Sequence, residues 1–108
     1  MDIKKLKQIV ITWASNLGMN CNVYLFGSQV KGTTKEDSDI DIAIEFPDIL
    51  SKDERTVLWC KNHRKWEEYL SNETRSDIDL ELYEGDDSPR IKTALNESSI
   101  LIFKRQTN

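Results

Sequence analysis

Gly27-Ser28 stands ten residues ahead of Asp39-Ile40-Asp41, and both ends of that segment carry usable chemistry. A glycine directly after a strand lets the backbone come close to a ligand, because no side chain intervenes. A helical turn beginning at Ser28 would aim free N–H groups at the same place, and such a place favours phosphate. The Ser28 hydroxyl adds a further donor. At the other end, Asp39 and Asp41 are two residues apart, so on a strand both carboxylates leave one face. Two carboxylates side by side repel unless a cation lies between them. Hard divalent ions such as magnesium take oxygen ligands and accept substrate phosphates as well. A phosphate cradle and a metal site in one short run suit phosphoryl or nucleotidyl transfer, in which metal ions orient a triphosphate and offset developing charge.

A third carboxylate would complete a two-metal site. Asp77, Asp79 and Glu81 alternate with Ile78, Leu80 and Leu82, so they share the polar face of a later strand. If that strand lies beside the one carrying Asp39 and Asp41, Asp79 reaches the same ions and can accept a proton from an attacking hydroxyl. Asp77 is the other candidate on that face.

The elements that must position these groups follow from apolar spacing. Ile3, Leu6, Ile9, Val10, Trp13 and Leu17 recur at helical spacing, with Asp2 to cap the start and Gly18 to end the helix. Residues 22–26 form a short strand, and residues 29–38 read as a short helical turn and a loop. Residues 39–46 alternate strictly, placing Asp39, Asp41, Ala43 and Glu45 on one face and Ile40, Ile42, Ile44 and Phe46 on the other. A long helix is predicted over residues 51–70: Ser51 and Glu54 have capping-box spacing, and Trp59, His63, Trp66 and Leu70 form its stripe, with Leu58 and Tyr69 beside it. A strand over 77–83, a helix opening at Ser88-Pro89 and a final strand over 100–103 complete the chain. The alternation of strands and helices predicts an α/β (α+β) domain: a mixed four-stranded sheet with helices packed against it.

Composition bounds the alternatives. A chain of 108 residues supplies one hydrophobic core, so residues 1–108 read as a single domain. With 38% hydrophobic and 31% charged residues, it has the make-up of a compact, highly charged fold. The net charge of -4 argues against non-specific nucleic-acid binding, which needs a basic footprint. Two cysteines, Cys21 and Cys60, make neither a disulfide framework nor a zinc spacing. No leader-like segment or run of ~20 apolar residues is present, so a cytoplasmic protein without membrane contact is expected.

The segment from Gly27 to Asp41 resembles the nucleotidyltransferase superfamily that includes DNA polymerase beta, and above all its minimal members. Their signature is Gly-Ser, ten residues, then Asp-x-Asp; Gly32 and Ser38-Asp39-Ile40-Asp41 also match their pattern. Ile78-Asp79-Leu80 is similar to the family's third acidic strand. The tail from Ile91 to Phe103 is similar to the helix and strand that end small members. The resemblance reaches most of the chain, although only residues 27–41 are strongly specific. It implies the polymerase-beta-like fold, with Gly27 and Ser28 holding the triphosphate. It also implies that Asp39, Asp41 and Asp79 are the metal ligands and catalytic residues, with two Mg2+ ions and ATP as substrate.

Minimal nucleotidyltransferases also resemble, in size and motif, the antitoxins that adenylylate HEPN ribonuclease toxins. That likeness implies transfer of AMP to a hydroxyl of a HEPN-type toxin partner, in complex with it. The alternatives are a non-catalytic antitoxin acting by contact and an aminoglycoside-type small-molecule enzyme, though the latter usually carries an extra helical domain. Gln29 departs from the pattern: many members carry arginine there, so a charged contact becomes a neutral amide, for which Lys31 is the nearby substitute.

The remaining polar and aromatic residues read as structural. His63, the only histidine, lies on the Trp59–Trp66 stripe and is expected to pack rather than act as a base. Trp13, Trp59 and Trp66 read as core or interface anchors. The basic runs at Lys4, Lys5 and Lys7 and over residues 61–65 read as solvated helix faces.

Overall fold

A computed structural model describes residues 3–27 and 40–105. Helix α1 (Ile3–Asn16) is followed by β1 (Cys21–Phe26), β2 (Ile40–Glu45), α2 (Lys52–Thr74), β3 (Ile78–Leu82), a 3-10 turn (Gly85–Asp87), α3 (Pro89–Glu97) and β4 (Ser99–Arg105). The four strands form one sheet in the order β3-β2-β1-β4. β1 runs antiparallel to both β2 and β4, and β2 pairs with β3 in parallel through α2. The sheet is therefore mixed, as the alternation of elements predicts. Among the described residues, no helix is long and apolar enough to cross a membrane.

The core lies between the sheet and the pair α1 and α2. Leu6, Val10, Trp13 and Ala14 of α1 are buried against Val23, Leu25, Ile42 and Ile44 of the central strands. Trp66 joins the two helices to the sheet: its ring meets Trp13 edge-on at 6.0 Å and lies 6.2 Å from Phe46. The predicted α1 stripe holds, except that Ile3 is 37% exposed. Gly18, with φ +68, turns the chain after α1 in a conformation that glycine adopts without steric cost. Asp2, the predicted cap, lies outside the described residues.

The ends of α2 and β4 differ from the sequence reading, and α3 opens at Pro89 as predicted but without the side-chain cap expected of Ser88, each for a local reason. α2 starts as predicted, with Ser51 Oγ accepting from Glu54 N–H at 3.3 Å, but it runs one turn past Leu70. Thr74 is buried and satisfies its hydroxyl by donating to Leu70 O at 2.7 Å. Arg75, at φ 54, then ends the helix in the left-handed region usually given to glycine, so composition concealed the stop. Ser88 precedes α3 but does not cap it with its side chain. Its Oγ instead accepts from Glu84 N–H at 3.0 Å and donates to Leu82 O, tying off the end of β3. β4 is longer than residues 100–103 because it follows β1 along its whole length, with a bulge opposite Val23 and Tyr24.

β3 is an edge strand, and its outer side is not bare. Ile78 N–H donates to Ser71 Oγ at 3.2 Å and Leu80 N–H to Glu67 Oε2 at 3.0 Å. Two side chains one helical turn apart on α2 thus occupy donors that would otherwise face water or another chain. Cys21 is buried and Cys60 exposed, and they do not form a disulfide.

Candidate active site

The candidate site lies at one end of the sheet, and strand direction explains why. β1 ends at Phe26, which is in register with Asp41 near the start of the antiparallel β2. β3 runs parallel to β2, so its start reaches the same end, and Asp79 is in register with Asp41. The end of β1 and the starts of β2 and β3 thereby bring Gly27, Asp41 and Asp79 together. Neighbouring strands are about 4.8 Å apart, so the carboxylates of two directly paired residues leave the same face within reach of one ion.

Gly27 has φ +79, a conformation that side-chain-bearing residues rarely adopt. A methyl group built on it would overlap Oδ2 of Asp41 and stand 3.3 Å from Cγ. The space beside this backbone is therefore filled by the Asp41 carboxylate. The alternation predicted for β2 is borne out: Ile40, Ile42 and Ile44 are buried toward the helices, while Asp41 and Glu45 are half-buried on the opposite face. Ala43 is fully buried on that second face, between its register partners Tyr24 and Glu81. β2 is accordingly an interior strand rather than a solvated edge.

On β3, Asp79 is exposed and Glu81 half-buried. Burial holds the Glu81 carboxyl above the ordinary carboxylate range, reinforced by the charge of Asp79 and a hydrogen bond shared with it. Asp77 lies just ahead of β3, and its main-chain carbonyl accepts from Ile40 N–H at 2.8 Å. Farther along the same face, Glu45 accepts from Asn22 Nδ2 at 2.9 Å and from the Tyr24 hydroxyl at 3.4 Å. Burial, followed by the charge of Glu45, pushes the Tyr24 phenol up. Glu45 is thus committed to structural partners at the far end of the sheet.

Ser28, Gln29, Lys31, Gly32 and Asp39 lie outside the described residues. Of the predicted site residues, Gly27, Asp41 and Asp79 are brought together. Among the described residues, no three His, Cys, Asp or Glu side chains gather into a metal-binding cluster. The described donors are hard carboxylate oxygens on adjacent strands, a chemistry that fits magnesium and not a soft or nitrogen-preferring ion. His63 is half-buried and stacks on Trp59 with ring centroids 4.4 Å apart at 16°, so it packs as expected. Its Nε2 lies 3.2 Å from Glu67 Oε2. The sequence reading assigned nothing to Glu67 and Ser71. Their only trace in the sequence is their four-residue spacing beside the buried Trp66–Leu70 stripe.

Known proteins share this fold. A family profile, polymerase beta nucleotidyltransferase, matches residues 7–108. No curated protein matches significantly. Among solved structures, the chain is similar to a toxin–antitoxin with AMP-PNP, at 22% identity and TM-score 0.67 over 93% of this chain and 74% of that one. It is similar to a MntA–HpeT toxin–antitoxin mutant at 23% identity and TM-score 0.67, again over 93% and 74%. A third similar structure is a tri-AMPylated Shewanella oneidensis HEPN toxin in complex with MNT antitoxin, at 22% identity and TM-score 0.61 over 94% and 71%. At these identities the likeness is one of fold. The family match spans nearly the whole chain, and on that ground the chain belongs to the polymerase beta nucleotidyltransferase family and is a nucleotidyltransferase.

Proposed function

We propose that the protein transfers AMP from ATP, with magnesium, to a hydroxyl of a HEPN-type toxin, and silences that partner as its antitoxin. The observation that carries the reading is the register of Asp41 with Asp79 beside a left-handed Gly27, in a chain whose sequence supplies Ser28 and Asp39 at the family's spacing. The solved neighbours supply the partner class: they include a toxin–antitoxin with AMP-PNP and an AMPylated HEPN toxin with its antitoxin.

Gly27 and Ser28 would hold the triphosphate, the first through close backbone approach and the second through its hydroxyl. Asp39, Asp41 and Asp79 would hold two magnesium ions. When bound, these ions orient the triphosphate and offset charge on the leaving pyrophosphate. Asp79, itself exposed on the edge strand, would take the proton of the incoming hydroxyl. The acceptor oxygen forms a bond to the α-phosphorus, the bond to pyrophosphate breaks, and the proton passes to the carboxylate.

The deciding experiment follows label from α-phosphate-labelled ATP with magnesium onto a co-expressed HEPN-type partner. Label on the partner, lost with Asp39→Ala and Asp41→Ala together, is the expected result. A second reading, an antitoxin that acts by contact alone, is favoured by Gln29 in place of the usual arginine. It predicts no label and full protection by the double variant. A cytoplasmic location belongs to the same proposal.

A further inference from the structure

We infer that Glu67 and Ser71 of α2 are positioning residues for the nucleotidyl-transfer site, because they fix the edge strand on both sides of Asp79. The inference rests on the reading of Asp79 as a metal ligand.

The argument starts from the place of β3 in the sheet. As an edge strand it has a ladder on one side only, through β2. The N–H groups of Ile78 and Leu80, the two residues flanking Asp79, point away from that ladder. Ser71 Oγ receives the first at 3.2 Å and Glu67 Oε2 the second at 3.0 Å. Ile78 and Leu80 are themselves buried, so the strand is held from its inner face as well. The segment bearing Asp79 is therefore fixed by β2 on one side and by α2 on the other.

Glu67 is held in turn. The same Oε2 that accepts from Leu80 lies 3.2 Å from His63 Nε2, and the His63 ring stacks on Trp59. Ser71 is held by the helix itself, since its carbonyl accepts from the Arg75 N–H that caps α2. Both acceptors thus sit one turn apart on one continuous helix, and Glu67 Oε2 is held from its other side by His63. A carboxylate that must share ions with Asp41 across one strand spacing tolerates little drift. Groups that orient a metal ligand without touching the metal commonly change affinity or activity on the order of 10–100-fold when removed, and misplacement by about 1 Å is enough for such a loss.

The test is calorimetric binding of Mn2+–AMP-PNP to the full chain, beside thermal melting of each variant. Glu67→Ala is expected to weaken binding by on the order of tenfold, and Ser71→Ala to weaken it in the same direction by less. Glu67→Gln keeps an oxygen acceptor for Leu80 N–H and is expected to stay close to wild type, a rescue that mere loss of charge would not give. Asp79→Ala runs alongside. If Asp79→Ala weakens binding while folded Glu67→Ala and Ser71→Ala both bind as wild type, the positioning role is overturned and the metal-ligand reading stands. If Asp79→Ala binds as wild type, that reading fails, and the positioning role fails with it, whatever the α2 variants do.

Discussion

The backbone of Gly27 lies against the carboxylate of Asp41, in a left-handed conformation that leaves no room for a β-carbon. The glycine of the Gly-Ser motif and the second aspartate of Asp-x-Asp are thus a packed pair, although fourteen positions separate them in the sequence. Gly27→Ala is expected to cost about 1–3 kcal/mol of stability from backbone strain, and to displace Asp41 as well. Thermal melting and the rate of AMP transfer check both parts. A rate that falls no further than the folded fraction would show that the position of the Asp41 carboxylate is unimportant.

Asp79 and Asp77 lie on one polar face, but only Asp79 is in register with Asp41. Asp79→Asn is expected to slow transfer by about 10²–10⁴-fold, the usual range for a general base. Asp77→Asn should leave the rate near wild type, because the group that Asp77 gives to the sheet is its main-chain carbonyl. Single-turnover rates of the two variants, measured side by side, decide between them.

Arg55 joins the loop before α2 to the end of β3. Its Nε lies 2.8 Å from Glu84 Oε2, and its Nη1 donates to Ile49 O at 2.7 Å. Both side chains are mostly shielded, at 16% and 14% exposure, so the bond is not the weak surface kind. Glu84→Ala is expected to lose about 1–3 kcal/mol, as for a charged hydrogen bond whose partner is left unsatisfied. Urea denaturation should register the loss, with the rate of nucleotidyl transfer unaffected below the transition.

Trp66 is 6% exposed and touches Trp13, Phe46 and Trp59 at once. Trp66→Ala is expected to cost about 3–5 kcal/mol, as for other large core truncations. Trp59→Ala should cost clearly less, since Trp59 is only half-buried beside His63. Chemical denaturation of the two variants, compared with wild type, tests the order.

The sequence by itself determined the faces of the strands and the start of α2, and it carried the motif on which the proposed chemistry rests. Strict alternation over residues 39–46 put Asp41 opposite Ile40 and Ile42 because strand side chains have a period of two. Ser51 and Glu54 announced the cap they form, because a capping bond spans only three residues. Gly27-Ser28 and Asp39-Ile40-Asp41 pointed to a triphosphate and hard cations because donors and carboxylates act locally. Tertiary structure alone decided which strand lies beside which, and therefore that Asp41 meets Asp79. It also decided that α2 runs on to Thr74, that Ser88 ties off β3, and that Glu67 and Ser71 occupy the outer donors of that strand. Each of these depends on a partner distant along the chain, and periodicity reports the face a residue presents, not the neighbour it meets there.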